Sequence, residues 1–124
     1  MDFKNNYQKG KKGERIAVAF LRTKGYKMLF TNWRHSTLEV DIICKINTTI
    51  VFVEVKYRST DKFSNPLDAI DEDKIENLAI AAGHFTEQFQ HSGPCRFDII
   101  IILPSQGNLY KIRHYKDAFF PGWE

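Results

Sequence analysis

The stretch VFVEVKYR, Val51 to Arg58, alternates with period two: Val51, Val53, Val55 and Tyr57 form one row, Phe52, Glu54, Lys56 and Arg58 the other. Its β-branched and aromatic residues mark a strand. A carboxylate and an ammonium two residues apart on one side of so apolar a strand either face water or meet charges from a neighbouring element. The fold and the chemistry both turn on which.

The nearest neighbour in sequence is LEVDIICK, Leu38 to Lys45, joined to it through INTT. A tight loop there sets Ile46 opposite Thr49 and Lys45 opposite Ile50, although Asn-Thr is a weaker hairpin signal than Asn-Gly. The same register sets Asp41 opposite Glu54 and Glu39 opposite Lys56. On the other side it pairs Cys44 with Val51, Ile42 with Val53 and Val40 with Val55, all apolar. A slip of one residue turns the carboxylates into that core, so the pattern selects its own register.

Directly opposed Cβ atoms lie roughly 4.5–5.5 Å apart, and like charges at that distance destabilise a hairpin. Asp41 against Glu54 is therefore unfavourable unless a cation sits between them. Mg²⁺, with oxygen ligands at about 2.0–2.1 Å and several retained waters, suits two carboxylates. Glu39 opposite Lys56 is an attractive pair that holds the lysine in place. Glu14 shares a helical stripe with Ala17, Val18 and Leu21 and so points toward the sheet. In isolation it is a first-turn acid favoured by the helix dipole; beside Asp41 and Glu54 it becomes a fourth member.

The whole chain bounds these possibilities. Its 124 residues make one domain, 1–124, large enough for a core without disulfides. At 43% hydrophobic and 27% charged it is globular rather than disordered. The formal charge of +3 alone makes no case for nucleic acid, but Lys4, Lys9, Lys11, Lys12 and Arg15 crowd the N-terminal segment. Cys44 and Cys95 lie in apolar strand-like runs without metal-ligand spacing, as buried thiols in a reducing compartment. No apolar leader or membrane-length run appears, so a soluble, cytoplasmic protein is expected.

The expected elements are a helix over 5–24 capped by Gly25, a strand over 26–31 and a polar turn NWRHST, Asn32 to Thr37. Strands over 39–45 and 50–57 follow, then a loop over 58–66. Asp71 caps a helix to about Gln90 with an apolar stripe of Ile75, Leu78, Ala82, Phe85 and Phe89. CRFDIIIIL, Cys95 to Leu103, is apolar on both faces and hence an interior strand, and a last strand covers 109–115. The order α-β-β-β-α-β-β is an α/β fold: a mixed central sheet flanked by helices.

An acid on one strand followed by ExK on the next, here Asp41 and then Glu54-Val55-Lys56, resembles the signature of the PD-(D/E)xK, restriction-endonuclease-like, nuclease superfamily. With Glu14, the element order and the strings GERIA, NWR, EVDII, VFVEVKYR, NPLDAI and RFDIIII, the chain resembles the YraN-like bacterial family, similar to archaeal Holliday-junction resolvases. The resemblance covers roughly Gly10 to Leu103. The family usually has Gly where this chain has Leu38, and often where it has Asn65.

What the resemblance implies is metal-dependent hydrolysis of phosphodiester bonds in DNA, branched or junction DNA included. Asp41, Glu54 and the backbone carbonyl of Val55 would hold Mg²⁺ or Mn²⁺, with Glu14 tuning it or aiding a second ion. Lys56 would position water and stabilise charge on phosphorus, with Glu39 orienting it. A lysine recurs in the family at Lys74, as a supporting residue. Lys11, Lys12, Arg34 and Arg58 are candidates for phosphate contacts. DNA is expected over RNA, and a homodimer is the simplest way to cut a symmetric junction. Two other readings stay open: a non-catalytic nucleic-acid-binding module with a nuclease fold, and a protein–protein interaction domain. The four histidines lack ligand spacing and are expected at the surface or in packing; Arg96 and Asp98 are expected to form a structural pair.

Overall fold

The computed structural model describes residues 3–59 and 65–119. Five strands, β1 Lys27–His35, β2 Leu38–Ile46, β3 Thr49–Tyr57, β4 Cys95–Pro104 and β5 Tyr110–Tyr115, form one sheet in the order β1-β2-β3-β4-β5. Only the β3–β4 contact is parallel, because α2 (Glu72–Gln88) lies between those strands in the chain. With α1 (Phe3–Thr23) ahead of β1, the expected α-β-β-β-α-β-β order is the one found.

Each helix covers one side of the sheet. Ala17 and Leu21 of α1 pack on Ile42, Cys44, Val51, Val53, Ile100 and Ile102. Leu78, Ala81, Ala82 and Phe85 of α2 pack on Val40, Ile43 and Phe52. Strand β4 supplies both layers, with Ile99 and Ile101 joining Ile75. The helix ends obey local chemistry. Gly25, at φ +90°, lets Tyr26 N–H reach the Leu21 carbonyl and its own N–H reach that of Arg22, a Schellman cap. The Asp71 side chain accepts the Lys74 backbone N–H and starts α2. Phe89, expected on the α2 stripe, follows the helix end and is exposed.

Other expectations need correction. Glu14 is not a first-turn acid: α1 starts at Phe3 and carries no acid in its first turn, so the helix dipole does not account for it. Asn32–Thr37 is not a turn: β1 runs through Trp33, which is buried against Phe85, and only Ser36 and Thr37 remain between β1 and β2. Burying an indole outweighs its polar neighbours. Cys95 is exposed at the start of β4, whereas Cys44 is buried. Residues 60–64 of the loop expected over 58–66 lie outside the described residues, and Pro66–Ala69 forms a short 3-10 helix capped by Asn65. His114, half-buried, takes the expected packing role against Phe20 and Tyr26 and adds a hydrogen bond to Asp98, which also takes the expected ion pair with Arg96.

The β2–β3 register is the one the hydrophobic pattern selects: Ile46 faces Thr49, Cys44 faces Val51 and Ile42 faces Val53. The ladder stops there. Val40, expected beside Val55 on the α1 side, packs instead in the α2 layer opposite Trp33. Alternation in β2 therefore breaks at Asp41. Across from it on β1, Asn32 takes φ +52°, and pairing jumps from Thr31–Ile42 to Trp33–Val40.

Candidate active site

The break in β2 positions Asp41. Where the ladder has opened, its Oδ2 accepts the Val55 backbone N–H at 2.9 Å, so the carboxylate spans from β2 to β3. A side chain has replaced a ladder hydrogen bond. The Asp41 carboxylate also lies against that of Glu54, which strand alternation carries on the α2 side of β3 beside the parallel rung to Ile99.

Glu54 is 1% exposed, and its Oε2 is buried without a hydrogen-bond partner. The nearest cations are Lys74 Nζ at 3.7 Å and Lys56 Nζ at 3.8 Å, both beyond hydrogen-bond range. Burial first, then the adjacent Asp41, push the Glu54 carboxyl far above the usual carboxylate range, while the two lysines oppose the shift. Glu14 rises for the same two reasons, more weakly; Lys11, at 3.5 Å, and the Asn32 side chain counteract it.

Glu39 does not hold Lys56. Beyond Ile42–Val53 the two strands no longer oppose each other, and the Glu39 carboxylate turns to Arg34 at 2.6 Å. One ligand oxygen each from Glu14, Glu39 and Asp41 lie within 4.8 Å of one another. Lys74 reaches in from the first turn of α2, and its Nζ donates to the Glu39 carbonyl at 3.3 Å.

The structure thus gathers Glu14, Glu39, Asp41, Glu54, Lys56 and Lys74 around the opened strands, with Lys11 and Arg34 at the rim. Val55 contributes its N–H to Asp41. Lys12 turns elsewhere, 5.0 Å above the Tyr110 ring, and Arg58 donates to the Tyr57 carbonyl. Arg15, named above only as part of a basic segment, and Arg22, which no motif marks, line a groove of about 410 Å³ with Lys11, Glu14, Thr31 and Asn32. The signal that would join them to the site is helical spacing on the face that holds Glu14.

These donors suit a hard divalent cation. They are carboxylate oxygens, and an octahedral ion with bonds of about 2.0–2.1 Å needs its donors roughly 3–4 Å apart. Among the described residues no His or Cys joins the acidic group, so it does not present the ligands a softer metal prefers. The buried, unbonded Glu54 oxygen is the kind of orphan that an ion satisfies.

A family model described as "Uncharacterised protein family UPF0102" matches residues 13–102, a span that includes Glu14, Glu39, Asp41, Glu54, Lys56 and Lys74. A UPF0102 protein of Christiangramia forsetii is 44% identical over 111 residues, covering 90% of this chain and 92% of its own. One of Bacteroides thetaiotaomicron is 42% identical over 112 residues, with the same coverages. One of Thermodesulfovibrio yellowstonii is 40% identical over 111 residues, 90% of this chain and 95% of its own. These names state a family and no activity. No helix among the described residues is long and apolar enough to cross a membrane.

Proposed function

The chain belongs to the UPF0102, YraN-like, family, and from that premise and its acidic centre we propose that it is a metal-dependent nuclease hydrolysing phosphodiester bonds of DNA. One observation carries the reading. A sheet opens at its centre to bury a carboxylate whose oxygen lacks a hydrogen bond, pressed against a second carboxylate. Such an arrangement opposes folding unless it serves a ligand.

Asp41, Glu54 and the Val55 carbonyl would hold Mg²⁺ or Mn²⁺, with Glu14 as a further ligand. Bound there, the ion supplies Lewis-acid polarisation of the phosphoryl oxygen and an acidified water. Lys56 Nζ, beside Glu54, stabilises the negative charge that grows on the phosphoryl oxygens and orients the attacking water. Arg34 and Lys11, at the rim, contact flanking phosphates and supply affinity without sequence preference. Lys12 and Arg58 serve more distant phosphates. The two free cysteines suit the reducing cytoplasm, where DNA is at hand.

The test is incubation of labelled duplex, single-stranded and branched DNA, and of RNA, with EDTA, Mg²⁺ or Mn²⁺. DNA cleavage is expected only with metal, and Lys56→Met is expected to lower it about 100-fold or more while the fold survives. Paired symmetric cuts in branched DNA would indicate a dimer. Should nothing be cut while nucleic acid still binds independently of metal, the non-catalytic binding module is the correct reading.

A further inference from the structure

We propose that Lys74 is a built-in counter-ion for Glu54, occupying the electrostatic place of the divalent cation in the metal-free protein and yielding it when the ion binds. The inference rests on the metal site proposed above. Its observation is separate: a lysine ammonium bridges the two strands where their ladder ends. Lys74 Nζ touches the Glu39 carbonyl on β2 at 3.3 Å and stands 3.7 Å from Glu54 Oε2 on β3. A cation joining β2 to β3 at this point does what a metal held by both strands would do.

Three features make this a role rather than a chance contact. Lys74 sits in the first turn of α2 beside Glu72 and Asp73, where the helix dipole disfavours a cation. Its value there must come from the site it reaches. Its side chain is 28% exposed, so the ammonium has a path out of the gap. And it makes no hydrogen bond to Glu54: Oε2 stays unbonded, with the ammonium 3.7 Å away. Displacing it breaks no bond to Glu54 and costs the long contact to the Glu39 carbonyl. Lys56, on the same strand as Glu54, lacks the contact to β2 and does not span the gap.

Lys74 thereby acts as a positioning residue. It limits the cost of a buried acidic centre before metal arrives, and it competes with metal for that centre. Removing its charge should weaken the metal-free protein and tighten metal binding.

The experiment measures Mn²⁺ affinity calorimetrically, without nucleic acid, together with the melting temperature in EDTA. Lys74→Gln keeps a donor for the Glu39 carbonyl, Lys74→Met removes it, and Lys74→Arg keeps the charge. Both neutral variants should bind Mn²⁺ roughly tenfold tighter, on the scale of losing one unit charge a few ångström away near a protein surface. They should melt lower in EDTA and recover in saturating Mn²⁺. Lys74→Arg should behave as the parent. Mn²⁺ binding in the parent that is equal or weaker in both neutral variants overturns this inference alone. Absence of Mn²⁺ binding in parent and variants alike overturns it together with the metal site.

Discussion

Two buried carboxylates stand one rung apart on the central strands. In the parallel ladder Val53 faces Asp98 and Glu54 faces Ile99. Asp98 is 0% exposed and Glu54 1%, yet their surroundings are opposite. Asp98 accepts two hydrogen bonds from Arg96, at 2.9 and 2.8 Å, one from His114 at 2.7 Å and one from the Asp117 backbone N–H at 3.0 Å. Burial alone would raise its carboxyl, but the bonds from His114, Arg96 and Asp117 hold it below the usual range. Arg96 also donates to the Tyr26 hydroxyl, so the network ties β4 and β5 to the chain beyond α1. Glu54 has equal burial and no such satisfaction. Burial therefore does not separate these two acids; the hydrogen-bond complement does.

The largest expected effect falls on the satisfied acid. Asp98→Ala leaves Arg96, His114 and the Asp117 N–H without their acceptor, and should lower stability by about 3–5 kcal/mol in a denaturant titration. A loss below about 1 kcal/mol would mean that the network is not structural.

Glu54→Gln should do the reverse. It replaces a carboxyl that must take up a proton to be buried with a neutral amide of nearly the same shape, and at pH 8 in EDTA should stabilise the protein by about 1–2 kcal/mol, while abolishing Mn²⁺ binding. Destabilisation at that pH would break the contrast.

Stability against pH sharpens the comparison. The folded carboxyl of Glu54 lies above its unfolded value, so native protein holds that proton more tightly. Its contribution is full below the ordinary glutamate range and is lost as pH rises through the raised value. Asp98 lies below its unfolded value, so its contribution is present above the ordinary aspartate range and is lost as pH falls through the lowered one. Thermal melts in EDTA should therefore fall at both ends, with Glu54→Gln flattening the alkaline limb and Asp98→Asn the acid limb. Because Glu54 must release its proton to bind an ion, Mn²⁺ should raise the melting temperature more at pH 8 than at pH 6.

The smallest stability effect is expected from Lys56→Met. Lys56 is partly exposed and stands 3.8 Å from Glu54, so the change should stay within about 0.5 kcal/mol in the denaturant titration even as cleavage falls. A loss comparable to that of Asp98→Ala would make Lys56 a structural residue.

How legible the site was depends on the range of the signal. Glu14 is legible from its helical spacing and Glu54 and Lys56 from the alternation of their own strand, whereas the hairpin register holds only through Ile42–Val53 and ends before the expected Asp41–Glu54 rung. The partner of Glu39 is not legible. Register arithmetic set it against Lys56, but the ladder ended first and it met Arg34. The packing expected of the histidines holds for His114, but its bond to Asp98 is not legible, because that partner lies on the adjacent strand, sixteen residues away.

By itself the sequence determined the element order, the caps at Gly25 and Asp71, and the hairpin register, because periodicity and capping are local and each error of register would expose a core face. Tertiary structure alone decided that Trp33 would extend β1, that Val40 would cross to the α2 layer, and that Asp41 would leave the alternation to bind Val55 N–H. It also brought Lys74, from a helix 20 residues downstream, onto Glu54. Those choices follow from filling two core layers at once: where one strand must serve both, alternation yields to packing, and the polar side chains left at the break meet in the gap.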